Sequence, residues 1–292
     1  MLNTQKEIIE ACSQGKRIYQ LVLEEEQLMT KATEDQVRTK LSEVLKVMKD
    51  SAVANLNKAT ESKYNMIDGF AEKMYAYSKG NKGETLTGQF ITEAMAMAFS
   101  TSEINCAMGK IVAAPTAGSA GILPAAMTAV WQRYNYDEQT LQNGLLTATA
   151  IGQIIGKYAT FAGAEGGCQA ECGAAAAMAA GALVEMAGGS AEEVLHSASF
   201  ALIHVLGLVC DPIAGLVQYP CTFRNASGVV NAMISADMAM AGVTSIVPFE
   251  EVVQAMGEVG KQMVPELRET GLGGLAGTKT GNAIREDFLS DK

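Results

Sequence analysis

From about residue 89 to 245 the chain carries few charges and is built largely of Ala, Gly and Met, in runs such as LLTATAIGQIIGKYA, AECGAAAAMAAGALVEMAGG and SADMAMAGV. Alanine favours helix, and small side chains let helix axes approach closely, so these runs predict helices buried on most sides. Sustained period-2 alternation rich in Val, Ile, Thr and aromatics is almost absent, which argues against a sheet as the organising layer. The expected fold class is all-α, with buried Ala/Gly-rich helices surrounded by amphipathic helices.

The wrapping helices are expected mainly near the start. After Thr33-Glu34-Asp35-Gln36, a capping-box match, apolar residues fall at Val37, Leu41, Val44, Leu45 and Met48, the spacing of one buried helix face. The segment YSKGNKGETLTG, Tyr77 to Gly88, has loop composition and separates an N-terminal amphipathic segment (1–80) from a helical domain (81–292) that carries the chemistry, the two forming one continuous unit. Near the end, Pro248 suits a first-turn position for a helix through Val252, Val253, Met256 and Val259; Pro265 ends it, and glycine-rich GLGGLAGTKTGN follows.

At 292 residues and 48% apolar composition the chain can bury a large core. A formal charge of -10, with no cluster of Lys or Arg, gives a polyphosphate nothing to follow, so no nucleic-acid partner is expected. Lys6, Glu7 and Glu10 interrupt the apolar stretch a secretion signal needs, which predicts a cytoplasmic protein. The long uncharged run 111–132 is broken by Pro115, Gly118, Gly121 and Pro124, so no membrane span is expected. In a reducing compartment, those of the six cysteines that serve a purpose are better metal ligands or catalysts than bridges, and Cys12 and Cys106 are expected as ordinary buried or spare thiols.

Three stretches could carry chemistry. PTAGSAGILP, Pro115 to Pro124, lacks the Gly-Lys-Ser/Thr ending of a P-loop and follows no strand. What it offers is a loop of amides with two hydroxyls, Thr116 and Ser119, able to hold a small anion such as a carboxylate; a tight crossing of buried helices would use the same residues. In GAEGGCQAECG, Cys168 and Cys172 are spaced to share a helix face, as a two-thiolate clip or as small core residues. In CDPIAGLVQYPC, Asp211-Pro212 and Tyr219-Pro220 place Cys210 and Cys221 where helix gives way to irregular chain, free to turn towards a shared metal. His196 and His204, eight apart in an apolar helical run, are expected as satisfied core residues.

Taken together and in this order, APTAGSAGILPA, GAEGGCQAECG and CDPIAGLVQYPC resemble the α chain of the iron-sulfur-dependent L-serine dehydratases (L-serine ammonia-lyases). The resemblance covers essentially everything beyond residue 60. It implies a [4Fe-4S] cluster on Cys168, Cys210 and Cys221, which have 41 and 10 residues between them. Three thiolates on four irons leave one iron open as a Lewis acid. The implied reaction removes water from L-serine and yields pyruvate and ammonia, a step of amino-acid degradation and gluconeogenesis. The substrate carboxylate is then assigned to Thr116, Ala117, Gly118 and Ser119, and the base to Lys110 beside the loop or to another chain. A separate β chain is the expected partner, because no β-rich segment is present. Single-chain forms that block their site with a C-terminal cysteine are not matched by the ending FLSDK.

Two other functions compete. A related lyase would act on cysteine and release sulfide. A non-catalytic metal-binding scaffold would fill a zinc site with a fourth ligand, Cys172 or Cys106.

Overall fold

The charge-poor runs are helices in the computed structural model, which describes residues 4–290. Residues 1–3 and the last two residues of FLSDK lie outside that range. Amphipathic helices come first: α1 (Gln5–Cys12), α2 (Ile18–Thr30), α3 (Glu34–Val53) and α4 (Phe70–Ser78). The small-residue helices follow as α5 (Gly88–Cys106), α6 (Ile122–Tyr134), α7 (Glu138–Tyr158), a single turn α8 (Gly163–Gly166), α9 (Ala174–Met186), α10 (Ala191–Ile203) and α11 (Cys221–Met240). The chain closes with α12 (Phe249–Gln262) and α13 (Lys279–Ser290). Among the described residues there is no strand longer than an isolated bridge, so the fold is all-α.

Helix α9 is the axis of the molecule. Every residue in it except Met178 is buried, and α6, α7, α10 and α11 pack around it. Its small residues permit this: a Cβ on Gly181 would lie 3.1 Å from Ile151 Cγ1 and 3.3 Å from Val194 Cγ1, so the glycine lets α7 and α10 close in together. Arg17, at the start of α2, caps the far end. Its guanidinium pairs with the buried Glu185 carboxylate and donates to the carbonyls of Glu185 and Gly189, satisfying groups a helix C-terminus leaves unpaired.

The N-terminal helices share this core. Ile8, Leu45 and Met48 belong to one apolar cluster with α9, while α2 lies on α7 and α3 on α5 and α6. Thr33 and Gln36 form the expected capping box, and Val37, Leu45 and Met48 are buried with Leu41 and Val44 packed beside them. Pro248 stands one residue earlier than expected, as the N-cap of α12. The helix also stops at Gln262, before Pro265, which instead opens a short 3-10 turn. In the uncharged run 111–132, helix begins only at Ile122, and no helix among the described residues is long and apolar enough to cross a membrane.

Candidate metal centre

At the N-terminal end of α9, Cys168 lies against Cys172 and interacts with Cys210, and Cys221 stands within electrostatic reach of Cys168. Between α8 and α9 the chain makes one π-helical turn, Gln169–Gly173, with Cys168 at its mouth. Such wide turns leave side chains aimed differently from an α-helix and recur at functional sites. Gln169 fixes this one: its amide nitrogen donates to the carbonyls of Gly166 and Met256, and its side-chain oxygen accepts from the Gly207 amide.

Cys168 and Cys172 lie with their sulfurs 3.3 Å apart. Cys210 arrives from the loop after α10 and Cys221 as the first residue of α11; all four are buried. Cys172, for which the spacing allowed either a thiolate clip or a core residue, is both buried and in contact with Cys168. Cys210 is held from the far side, its amide donating to the Leu267 carbonyl and its carbonyl accepting from Glu269.

The thiols of the centre differ in how readily they ionise. Contacts from Cys172 and Cys210, together with the Arg224 guanidinium, hold the Cys168 thiol well below its ordinary range. The same contact with Cys168 pushes Cys172 and Cys210 up, and burial pushes Cys221 up. A thiolate is the metal-ligating form, so the nest already favours one ligand charge. Cys12 and Cys106 lie elsewhere. Cys106, raised to about 12 by burial, has Asp68 and Glu103 for neighbours, while Cys12 sits near Arg17 and Glu185.

Two carboxylates that sequence reasoning missed complete the centre. Glu171, on the π turn, lies 4.0 Å from Cys210 Sγ, and ligand atoms of Glu171, Cys210 and Glu269 all fall within 4.8 Å of one another. Burial pushes Glu171 up to about 7, helped by the Cys168 charge and opposed by a hydrogen bond from Thr116. A lone acid in an otherwise uncharged, alanine-rich run was the available signal.

That Thr116 bond brings the glycine loop to the thiols. A Cβ on Gly118 would stand 3.5 Å from both Glu171 oxygens. Asn225, on α11, clamps the loop: its amide donates to the Gly118 carbonyl at 2.7 Å, and its oxygen accepts from the Gly121 amide at 2.8 Å. Thr116 and Gly118 are half-buried and Ala117 exposed, whereas Ser119 is fully buried behind them, its hydroxyl 3.1 Å from that of Thr116. Lys110 is exposed, with its charge acting on Glu43 of α3. His196 accepts from the Ser245 amide and is half-buried. His204, exposed at the end of α10, contacts Asn231 and so departs from the expected core position.

A family model described as Serine dehydratase alpha chain matches residues 13–276. The chain belongs to this family. It is 64% identical over 292 residues to a protein of Peptoniphilus asaccharolyticus named L-serine dehydratase, alpha chain, a match spanning 100% of this chain and 99% of that one. A protein of Bacillus subtilis named probable L-serine dehydratase, alpha chain, is 42% identical over 290 residues, spanning 99% and 96% of the two chains. An L-serine dehydratase of Escherichia coli is 43% identical over 182 residues, 61% of this chain but 40% of that longer one.

The residues fit the iron-sulfur group that the family resemblance implies. Buried thiols converge, as such clusters require. A Cβ on Gly163 would come within 2.9 Å of Glu171 Oε2 and 3.0 Å of Cys210 Sγ, so a missing side chain keeps the centre open. Gln218 Oε1, Thr222 Oγ1, Arg224 Nη1 and Arg268 Nε are buried without partners, all in the segments that carry Cys210, Cys221 and Glu269. Native proteins rarely bury unpaired polar atoms, and their concentration here points to a polar group that belongs among them.

Proposed function

We propose that this chain is the catalytic α chain of an L-serine dehydratase (L-serine ammonia-lyase), acting in the cytoplasm with a separate β chain and holding a [4Fe-4S] cluster on Cys168, Cys210 and Cys221. The observation that carries the reading is the meeting of buried thiols, Glu171 and the Thr116–Ser119 loop at one place, from segments far apart in sequence. When bound, a cluster on three thiolates supplies Lewis acidity that makes the serine hydroxyl a better leaving group.

The protein's own groups do the rest. The amides of Thr116, Ala117 and Gly118 and the Thr116 hydroxyl bind the substrate carboxylate, with Ser119 behind holding Thr116 in place. Glu171 takes the Cα proton in preference to Lys110, because it stands between loop and thiols whereas Lys110 is exposed. A carboxylate with a value near 7 suits proton abstraction near neutral pH. Loss of that proton and of the β-hydroxyl leaves aminoacrylate, which tautomerises and takes up water to give pyruvate and ammonia.

The closeness of Cys172 to Cys168 favours one other reading, a four-thiolate zinc site in a non-catalytic subunit. One experiment separates them: anaerobic reconstitution with iron and sulfide, addition of the β chain, and measurement of the visible spectrum and of pyruvate from L-serine. A brown protein that turns serine over, with both properties lost in Cys221→Ala, supports the lyase. A colourless protein that keeps zinc overturns it.

A further inference from the structure

Each of two charged residues stands beside a cysteine of the centre. Asp211 follows Cys210, and Arg224 lies one turn into α11, after Cys221. Arg224 Nη2 donates to Asp211 Oδ1 at 2.6 Å, with only 14% and 5% of the two side chains exposed. The other Asp211 oxygen accepts from the Leu275 amide at 2.7 Å. One carboxylate thus ties together the Cys210 loop, the Cys221 helix and the glycine-rich tail.

A pair built only to fasten these segments would be expected to use both guanidinium nitrogens on both oxygens, the stronger and more specific arrangement. Here Asp211 gives its second oxygen to the backbone, and Arg224 Nη1 is left buried with no partner. An unpaired buried donor costs on the order of 1–3 kcal/mol, more when charged, unless an acceptor belongs there. The guanidinium lies within electrostatic reach of Cys168, Cys221 and Glu171, so its free donor faces the thiol centre.

We propose that Arg224 is a positioning residue for the thiol-bound group: Asp211 aims the guanidinium so that its free Nη1 donates to a sulfur of the cluster. This rests on the iron-sulfur reading above. Hydrogen bonds to cluster sulfurs and local charge set a cluster's reduction potential, and groups of this outer rank commonly change metal affinity by about tenfold or more. Removing the cation makes the more negative, reduced cluster harder to form.

The test uses the full chain with its β chain, reconstituted anaerobically as wild type, Arg224→Lys and Arg224→Gln. Iron and sulfide per chain after gel filtration, the rate of iron loss and the midpoint potential are measured, with circular dichroism to confirm folding. Arg224→Gln is expected to lose iron about tenfold faster and to show a more negative midpoint. Arg224→Lys keeps the charge but cannot serve Asp211 and the cluster together; it should recover the midpoint while still losing iron faster. A residue that merely fastened the loop would speed iron loss in both variants and leave both midpoints unchanged, which overturns the proposal. Should Arg224→Gln fail to fold, wild-type iron retention in Arg224→Lys overturns it instead. A wild-type chain that takes up no cluster would sink the iron-sulfur reading itself, a result distinct from either of these.

Discussion

At the scale of single residues, the centre separates cysteines that share a sequence composition but not an environment. Cys221 is buried with the other thiols, while Cys106 sits among Asp68 and Glu103. Cys221→Ala is therefore expected to abolish iron retention and serine turnover, and Cys106→Ala to leave both near wild type, as iron analysis and a pyruvate assay would show. Asn225 is a second sensitive position. It holds the carbonyls of Gly118 and Cys221 and the amide of Gly121 at once. Asn225→Ala leaves those groups unpaired in the interior, for a loss of about 2–3 kcal/mol in chemical denaturation. Because the freed loop is the proposed carboxylate site, the Michaelis constant for serine should rise more than kcat falls. An unchanged Michaelis constant with lowered stability would remove the loop from substrate binding.

Helices are where the sequence was most legible, and where its limits show. Alanine and glycine runs announce buried helices because close packing admits little else, and α9 bears this out. Enlarging one of its fully buried residues tests the packing directly: Ala180→Leu is expected to lose about 3 kcal/mol, since no neighbouring helix can yield. The end of α9 gives a pH-dependent case. Burial pushes Glu185 up, with Arg17 and Thr147 pulling it back. A carboxyl raised on folding contributes most at low pH, and that contribution fades as pH rises through the folded value. Arg17→Ala removes the pull, so ionised Glu185 loses its partner. The expected loss at pH 8 is about 1–2 kcal/mol, less than for a fully buried pair because Arg17 is 37% exposed, and it shrinks as the pH falls towards the ordinary carboxylate value of 4.5 and Glu185 takes up a proton. A loss independent of pH would mean that Arg17 acts only through the α9 carbonyls. What sequence could not reveal was the π turn: spacing placed Cys168 and Cys172 on one helix face, but widening the turn depends on Gln169 bonds to Gly207 and Met256, far away in the chain.

At the scale of the molecule, long-range backbone pairings hid part of the centre. GLGGLAGTKTGN showed only glycine content, yet Leu275 donates to Asp211 and Glu269, just before that stretch, donates to Cys210. Main-chain amides leave no residue pattern, so the tail's role emerged only with the fold. The thiols, by contrast, stood out in their motifs because cysteine is rare in this chain, and the fold buries four of the six together. The remaining whole-molecule question is completeness. The chain matches nearly the full length of the α-chain relative from Peptoniphilus asaccharolyticus, whereas its match to the longer Escherichia coli enzyme takes in 61% of this chain and 40% of that one, leaving much of that enzyme outside the match. If a β chain supplies that part, the reconstituted α chain alone should hold iron yet release little pyruvate, and adding the β chain should restore turnover in proportion to complex formed. Titrating β into a fixed amount of α while following both pyruvate and sedimentation decides it. Activity that saturates at a defined ratio supports a shared enzyme, because turnover then depends on the complex. Full turnover from α alone would place every catalytic group on this chain and make Glu171 the first residue to replace.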